Sequence, residues 1–437
     1  MLPRLFTVRN LLILSFVIAC LAFFVSFITP TSTAEVDADK VTRIYFADNI
    51  TSAHRQLIAR FNERHQSRIE VIPIDLPFTK FSTNERKQLL TRSFRSKTTR
   101  IDVFAVDLVW APRFVKWVEP LSPYFSPQQR ADFLPYALES CYSDSVLVGV
   151  PFYIDIGMMY YRADLIKKLP DHLTIEEKLR SSITWEEFVR LGQRPELAGH
   201  PFYLFPADNF EGLVCCFVEA VNSQNASLIA NDSLRLNTPE SRRALQLLAD
   251  LVNRYRLTPK TVTEYAEIDV YRYALDHDAV FFRGWPGNLR GYVDDREKME
   301  KIRIAALPHF QEARATSVYG GWNLMISKDS EKKWAALQFL EFATSPEAQK
   351  ILYDEMGYLP ANKKVYEDST YFASRPELQY LRLLLDRGVH RPALVEYTKI
   401  SDILSFYCKK AIKMEMPVEQ ALQSAQNMIR SEKVLIN

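Results

Sequence analysis

Glycine, histidine and cysteine are scarce in this chain, and each shortage limits the chemistry that it can perform. The 437 residues include only 12 glycines, 7 histidines and 5 cysteines. The histidines are scattered without a His-x-x-x-His pair, and the cysteine spacing matches neither a zinc site nor a disulfide framework. We therefore expect no metal ion and no cofactor.

The chain also lacks the common motifs of catalytic and nucleotide-binding sites. It contains no Gly-x-Ser-x-Gly elbow, no Walker loop and no dinucleotide fingerprint. The 55 basic and 53 acidic residues leave a net charge of +2, which gives no bulk reason to expect nucleic acid as a partner. These absences argue against nucleic-acid-binding proteins and against enzymes built on those motifs.

The first clear signal that is present is an export signal at the amino terminus. Arg4 and Arg9 precede an uncharged, mostly apolar run over residues 11–29. Three interpretations of residues 1–34 stay open: a cleaved signal peptide, a retained anchor, since about 20 apolar residues can span a bilayer, or lipidation at Cys20 in "VIAC". All three predict that the rest of the chain is exported, to the periplasm or to the outer face of the cytoplasmic membrane.

Strand and helix patterns alternate along the remainder of the chain. The stretches "RIYFAD", "RIEVIPIDL" and "IDVFAVDLVW" predict buried strands separated by helices, which is typical of a parallel sheet with crossover helices. Strand patterns return in "DAVFFRGW" and "IRIAALPHF", and the C-terminal part is mostly helical. Because strands occur early and late and no long linker follows residue 40, we expect two α/β lobes that exchange segments.

Two aspartates follow predicted strands and are candidates for a binding cleft. Asp107 ends "DVFAVD", and Asp155 stands in "PFYIDIG". Open α/β sheets bind ligands beyond the carboxyl ends of their strands. The pair could accept hydrogen bonds from a ligand, could act as the two carboxylates of a glycoside hydrolase, or could cap the turns that follow.

Three aromatic residues lie at the ends of predicted strands beside Gly or Pro: Tyr153, Trp285 in "FRGWPG" and Trp322 in "GGWN". A sugar presents apolar C–H faces and a rim of hydroxyls, so a sugar site combines flat aromatic rings with polar side chains. The neighbouring Gly320 and Gly321 have two interpretations. They form either a tight turn before a strand or a backbone that approaches a ligand closely.

The ordered motifs of the chain resemble those of a known family. They include "GVPFYIDIGMMYYRADLI", "FRGWPG", "GGWNLMISKDSEKKWAALQFLEFATSPEAQK" and "GYLPAN". Together they resemble the extracellular solute-binding proteins of ABC importers, in their carbohydrate branch, nearest the trehalose- and maltose-binding proteins. The resemblance covers about residues 43 to 430. It implies an α/β, two-lobed periplasmic-binding-protein-like fold with a hinge and an interlobe ligand cleft.

The lobe boundaries are predicted on the same basis. We expect lobe 1 to comprise residues 40–152 plus 285–330, and lobe 2 to comprise residues 153–284 plus 331–437.

The resemblance also implies a set of ligand-binding residues. Aspartates would accept hydroxyl protons, aromatic rings would stack on sugar rings, and arginines would donate to sugar oxygens. The implied residues are Arg95, Asp107, Tyr153, Asp155, Trp285, Gly320, Gly321, Trp322 and Arg391. Two positions depart from the pattern, since Gly287 stands where the nearest relatives carry an aromatic residue and Asn49 stands where they carry an acidic one.

The function implied by the resemblance is that of a monomeric, non-enzymatic receptor. It would deliver a carbohydrate, such as the disaccharides trehalose or maltose, to the permease subunits of an ABC transporter by hinge closure. Two alternatives stay open: a secreted carbohydrate-active enzyme that uses Asp107 and Asp155, and a membrane-anchored sugar sensor. A polyamine or phosphorylated ligand is also open, although no cluster of Arg and Lys at the predicted strand ends favours phosphate.

Overall fold

A computed structural model describes residues 41–434 except 67, 82, 97–99, 231–232, 293–294, 393 and 395. The predicted leader at residues 1–34, including Cys20, lies outside these residues. In the part that is described, no helix has an apolar stretch long enough to cross a membrane.

The strands are numbered in chain order. They are β1 Thr42–Asp48, β2 Ile69–Asp75, β3 Val103–Asp107, β4 Tyr142–Ser143, β5 Val146–Leu147, β6 Val150–Ile156, β7 Met158–Arg162, β8 Tyr203–Leu204, β9 Ile229–Ala230, β10 Ser233–Leu234, β11 Phe281–Gly284, β12 Ile302–Ala305, β13 Ser317–Ile326 and β14 Gly388–Val389.

The helices are referred to by their bounds. The α-helices are Ser52–Arg64, Thr83–Ser96, Ala111–Phe114, Pro127–Ala131, Pro135–Glu139, Ala163–Ile166, His172–Ser181, Trp185–Gly192, Glu211–Asn222, Pro239–Asn253, Glu267–Asp276, Asn288–Tyr292, Arg296–Glu300, Lys333–Ala343, Pro346–Met356, Lys364–Glu367, Ser369–Ala373, Pro376–Leu385, Tyr397–Ile412 and Val418–Val434. Short 3₁₀ turns cover Leu108–Trp110, Val115–Trp117, Pro195–Leu197 and Lys260–Glu264.

The first sheet follows the order β14-β13-β3-β1-β2, and β6 pairs with β13. Strands β1 and β3 run parallel, as the alternation of strands and helices predicts. Strand β13 is antiparallel to both β3 and β6, so the sheet as a whole is mixed. All ten residues of β13 are buried, so its sequence does not alternate between polar and apolar residues, and its polar members Ser317 and Asn323 are buried with the rest.

The second sheet follows the order β12-β7-β11-β8. Strand β7 is antiparallel to β11 and β12, and β11 is parallel to β8. Its strands share a core with the helices Glu211–Asn222, Pro239–Asn253 and Tyr397–Ile412. The second sheet is therefore covered by helices that come from distant parts of the chain.

In the described part of the chain, three passages connect the two sheets. Strand β6 belongs to the first sheet and β7 to the second, with Gly157 alone between them. The chain returns between β12 and β13, and it leaves the first sheet again between β14 and the helix Tyr397–Ile412. Connections of this kind allow two lobes to rotate about a few residues.

The packing of the C-terminal helices bears on the predicted lobe boundaries. The helices Lys333–Ala343 and Pro346–Met356 share a core with β1, β3 and the helix Ser52–Arg64, whereas the sequence analysis assigns residues 331–437 to lobe 2. The boundaries stay a prediction. This packing favours moving residues 333–356 to lobe 1, because their apolar faces are buried on the first sheet.

Most elements lie where the sequence patterns predict them, with one clear difference. The helix Trp185–Gly192 begins with a capping box, in which the Glu187 backbone N–H donates to the Thr184 hydroxyl at 3.2 Å. Gly320 and Gly321, in contrast, do not form a turn but lie inside β13. The turn interpretation of these glycines is therefore wrong.

A buried ion pair lies beneath the first passage between the sheets. Arg283 of β11 donates to Glu219 of the helix Glu211–Asn222 over 2.8 Å. The Ser317 hydroxyl, at the start of β13, lies 2.6 Å from the carbonyl oxygen of Gly157 and 3.1 Å from Glu219 Oε1. A Cβ at Gly157 would lie 1.9 Å from Glu219 Oε1. Only glycine therefore fits at position 157 beside this cluster of Arg283, Glu219 and Ser317.

Replacing Glu219 with alanine should destabilise the fold strongly. The change leaves the guanidinium of Arg283 buried without its counter-charge, a loss that costs about 3–5 kcal/mol in such pairs. Urea unfolding measures the difference. Glu300→Ala is the control, because the Arg296–Glu300 pair is exposed and should contribute little. Equal stability of the two variants would show that the buried pair does not support the passage.

Candidate functional site

A cavity of about 160 Å³ lies where the two sheets face each other. Strands β3, β6 and β13 line one side, and the residues after β11 and the starts of two helices line the other. The lining includes eight of the nine predicted site residues: Asp107, Tyr153, Asp155, Trp285, Gly320, Gly321, Trp322 and Arg391. The fold thus brings these eight together, while their contact with a ligand stays a prediction.

Arg95 is the predicted site residue that lies elsewhere. It is exposed near the end of the helix Thr83–Ser96 and does not line the cavity. The same helix buries Leu90 and Phe94 against the first sheet, so its apolar face sets the direction in which Arg95 points. This placement corrects the expectation that Arg95 donates to a ligand in this cavity.

Trp322 lies inside β13, not at a strand end as predicted. In the register of the sheet it stands opposite Asp107 of β3 on one side and Tyr153 of β6 on the other. The guanidinium of Arg86 lies 4.4 Å from the centre of its ring, and Phe78 meets it edge-on with ring centres 5.7 Å apart. One face of the indole is therefore occupied by the protein.

Arg86 is held in this position by a buried carboxylate. Its Nη2 donates to Asp48 Oδ1 over 2.6 Å, and both side chains are buried. His54 Nε2 lies 3.1 Å from the other oxygen of Asp48. The charge behind Trp322 is thus neutralised within the first sheet, and the ring is fixed by a cation–π contact rather than by apolar packing alone.

Trp285 is arranged in the same way on the opposite wall. The guanidinium of Arg283 lies 3.8 Å from the centre of its ring, and Arg283 is paired with the buried Glu219. The Tyr160 hydroxyl donates to the backbone oxygen of Trp285 over 2.8 Å. Each tryptophan of the cavity is therefore backed by an arginine that is itself bound to a carboxylate.

The paired glycines make room for protein contacts. A Cβ on Gly320 would lie 2.8 Å from the ring of Trp285, and a Cβ on Gly321 would lie 2.5 Å from the backbone oxygen of Tyr153. Gly321 also has a φ of +123°, a backbone conformation that other residues rarely adopt. The glycines thus admit an indole and a neighbouring strand, besides lining the cavity.

Tyr153 presents an aromatic wall beside Trp322. Its ring stacks on Tyr358 with ring centres 4.3 Å apart and an angle of 9° between the ring planes. Tyr358 was not among the predicted site residues, although it belongs to the "GYLPAN" motif of the family resemblance. Both rings line the cavity, and the stack fixes the orientation of Tyr153.

Arg391 links carboxylates from the two sides of the cavity. Its Nη2 donates to Asp107 Oδ1 over 2.8 Å, and its Nη1 donates to Glu211 Oε1 over 2.7 Å. Glu211 also accepts from the hydroxyls of Tyr397, over 2.6 Å, and of Ser401. Two of the guanidinium nitrogens are therefore committed to the protein, which limits the predicted role of Arg391 as a donor to sugar oxygens.

Asp155 differs from the other acidic residues because its carboxylate has no such partner. Its side chain is buried, and Oδ1 has no hydrogen-bond partner among the described residues. Burial raises the pKa of Asp155 well above its usual range; the charge of Asp107 raises it further, and Arg283 lowers it by less. Asp155 Oδ1 and Arg391 Nε are therefore buried polar atoms of the cavity lining without a partner among the described residues.

Several lining residues were not predicted from the sequence. They are Phe78, Phe210, Glu211, Cys215, Ala266, Glu267, Ile268 and Tyr358. Glu211 and Glu267 each stand at the first position of a helix, where acidic residues are common because of the helix dipole. Their position in the sequence therefore gives no sign that they face a cavity.

The cysteines and acidic side chains determine whether covalent or metal chemistry is available. Cys141, Cys215, Cys216 and Cys408 are buried and free. Among the residues with a described placement, no group of three or more His, Cys, Asp or Glu side chains could hold a metal ion.

The sequence of the chain is similar to that of known proteins. The profile of the bacterial extracellular solute-binding protein family matches residues 56–379. A probable ABC transporter-binding protein of Deinococcus radiodurans is 25% identical over 338 residues, which cover 74% of this chain and 78% of that protein.

Solved structures support the same relationship. The maltose-bound MalE3 of T. maritima has a TM-score of 0.79 and 26% identity, and the match covers 90% of this chain and 99% of that one. A solute-binding protein of Thermotoga lettingae with bound α-D-tagatose has a TM-score of 0.77 and 20% identity, with 90% and 99% covered. These likenesses confirm the predicted α/β, two-lobed binding-protein fold.

Asp155→Asn should raise the thermal stability at neutral pH. Because the pKa of Asp155 is raised in the folded chain, stability is lost as the pH rises above the usual value of 3.8. Asparagine has a similar shape and no ionisation. The melting temperature of the variant should exceed that of the wild type at neutral pH, and the gap should shrink as the pH falls towards 3.8. A pH-independent gap would contradict this, and Asp276→Asn on the surface is the control.

Proposed function

We propose that this chain, which belongs to the bacterial extracellular solute-binding protein family, binds a carbohydrate between its two lobes and delivers it to an ABC transporter permease. Maltose and trehalose are the first disaccharides to test. The likeness to a maltose-bound structure at 26% identity supports a sugar as the ligand.

The observation that carries the proposal is the pairing of aromatic rings with carboxylates in one cavity. Trp322 and Trp285 each have an arginine on one face, so the ligand would stack on the remaining faces. Asp155 and Asp107 lie beside the rings and would accept hydroxyl protons. This combination matches the apolar faces and the polar rim of a sugar ring.

A thermal-shift screen over mono- and disaccharides would identify the ligand, because a compound that binds only the folded chain raises its melting temperature. Calorimetry should then give a dissociation constant of roughly micromolar, equivalent to about −8 kcal/mol. No binding by any carbohydrate would contradict the proposed function.

Trp322→Ala should weaken sugar binding at least ten-fold, about 1.4 kcal/mol. The change removes the stacking surface between Tyr153 and Asp107. Trp334→Ala is the matched control, since Trp334 is 54% exposed on the helix Lys333–Ala343 and does not line the cavity. Titration calorimetry compares the two variants. Unchanged affinity in Trp322→Ala would remove Trp322 from the site.

Hinge closure has a candidate contact at the edge of the cavity. Gly287 follows β11 of the second sheet, and Gly357 ends the helix Pro346–Met356, which packs on the first. The Cα of Gly287 lies 2.9 Å from the position of a Cβ on Gly357, and a Cβ on Gly287 would lie 2.0 Å from the backbone oxygen of Met356. The backbones meet there, which accounts for glycine at position 287.

Gly287→Ala should weaken ligand binding at least ten-fold, because its methyl group keeps the two backbones apart. Gly199→Ala is the matched control, because both glycines have a positive φ, +78° at Gly287 and +91° at Gly199. A Cβ on Gly199, however, meets nothing within 4 Å. Both variants carry the backbone strain of a positive φ, but only Gly287→Ala adds the clash with Met356, so it should lose more stability than Gly199→Ala and should alone lose affinity. Small-angle scattering with and without ligand measures closure, and full closure of Gly287→Ala would contradict the assignment.

An enzymatic role is the alternative that one observation favours. A carboxylic acid held protonated beside a second carboxylate is what a glycosidase needs, and burial raises the pKa of Asp155 next to Asp107. The family relationship supports binding without turnover. Prolonged incubation with disaccharides separates the two, because hydrolysis that Asp155→Asn abolishes would establish the enzyme.

The family relationship also supports an exported location, with the sugar and the permease as partners of a monomer. The mode of attachment is tested by mass spectrometry of the mature amino terminus. Retention of residues 11–29 would favour the anchored sensor, and a lipid on Cys20 would establish the lipoprotein.

A further inference from the structure

The missing hydrogen-bond partner of Asp155 indicates that the ligand carries a donor group besides the hydroxyl groups of a sugar. The side chain of Asp155 is only 6% exposed, it lines the cavity, and Oδ1 has no partner among the described residues. A buried polar group without a hydrogen bond is unfavourable. The missing partner must therefore be supplied from the cavity.

The cavity around Asp155 is acidic. Its described lining includes four carboxylates, from Asp107, Asp155, Glu211 and Glu267, and one cationic side chain, Arg391. Arg391 is bound to Asp107 and Glu211 through Nη2 and Nη1, and its Nε has no partner among the described residues, so its charge is shared between these two carboxylates. The described lining offers no cation that is free to pair with Asp155.

The two arginines behind the tryptophans do not change this balance. Arg86 is paired with Asp48, and Arg283 is paired with Glu219. Arg283 is near enough to favour the charged form of Asp155, but burial and Asp107 outweigh it. Each guanidinium therefore adds no net charge once its own carboxylate is counted.

We propose that the solute is an amine-bearing sugar, and that its protonated amino group donates to Asp155 beside Trp285 and Trp322; the inference rests on the proposed function. An ammonium group has three N–H donors and no acceptor, so each of its hydrogens can donate to a carboxylate oxygen of the acidic cavity lining. A hydrogen bond between charged partners is about twice as strong as one between neutral groups. A neutral sugar would hydrogen-bond to Asp155 Oδ1 but would leave the excess negative charge of the cavity lining without a counter-charge.

Binding of the amine should release a proton. The groups that act on Asp155 are Asp107 and Arg283, with the tyrosines of β6 and β7 nearby, Tyr153 and Tyr160. Burial holds Asp155 protonated when the cavity is empty, since its pKa is raised. An incoming ammonium stabilises the carboxylate, so the carboxyl proton passes to the buffer while the amine keeps its own.

Calorimetry with matched sugars tests the inference. Glucosamine, galactosamine and mannosamine are each compared with the neutral hexose and with the N-acetyl derivative, and deacetylated chitobiose is compared with cellobiose. At a pH below that of amine deprotonation, at least one amine should bind ten-fold or more tightly than its neutral parent and its N-acetyl form. Repeating that titration in two buffers of different ionisation enthalpy should show proton release for the amine only.

Variants link the effect to the residue. Asp155→Asn should abolish the preference and the proton release while it retains weak binding of the neutral sugar, because asparagine still offers an amide to a hydroxyl. Asp276→Asn, an exposed change of the same kind, should alter neither. Circular dichroism and melting temperature confirm that both variants are folded.

The outcomes separate this inference from the proposed function. Neutral sugars that bind as tightly as their amines would overturn the inference and leave the sugar receptor standing. An amine preference that survives in Asp155→Asn would also overturn it. Failure of every neutral and amine-bearing carbohydrate would overturn both.

Discussion

The buried ion pair between Arg283 and Glu219 is the interaction on which hinge and site both depend. A pair of buried charges is tolerated only where each partner is also hydrogen-bonded or covered. Here Ser317, at the start of β13, contacts Glu219, and the ring of Trp285 covers Arg283. The same pair limits the passage at Gly157 to a residue without a side chain. The ion pair lies within the second lobe, contacts the start of β13 through Ser317, and orients an aromatic wall of the cavity.

The opposite wall repeats this arrangement with different residues. Trp322 is backed by Arg86, and Arg86 is held by Asp48. In both cases an indole faces the cavity, a guanidinium lies behind it and a buried carboxylate lies behind the guanidinium. Such a stack fixes a flat ring without apolar contacts on both faces, so that one face stays available to a solute.

The acidic residues of the cavity divide into those that the protein satisfies and the one that it does not. Asp107 and Glu211 share Arg391, a bridge that joins β3 of the first sheet to a helix of the second. Among the residues that the structure describes, Asp155 has no comparable partner. Satisfied carboxylates hold the frame of a site, whereas an unsatisfied buried one is tolerated where a ligand completes it.

The sequence by itself determined the elements and most of the aromatic wall. Apolar runs and helical spacing predicted β1, β3 and the helix Ser52–Arg64, and the ordered motifs placed Trp285 and Trp322 in one site. It did not determine which of the predicted arginines lines the cavity, because Arg95 and Arg391 look alike in sequence. Only the packing of their segments exposes Arg95 to solvent and pairs Arg391 with two carboxylates. Nor could it show that Asp155 is the unpaired acid. Pairing depends on which distant segments meet across the sheets, and that is decided only when the tertiary structure forms.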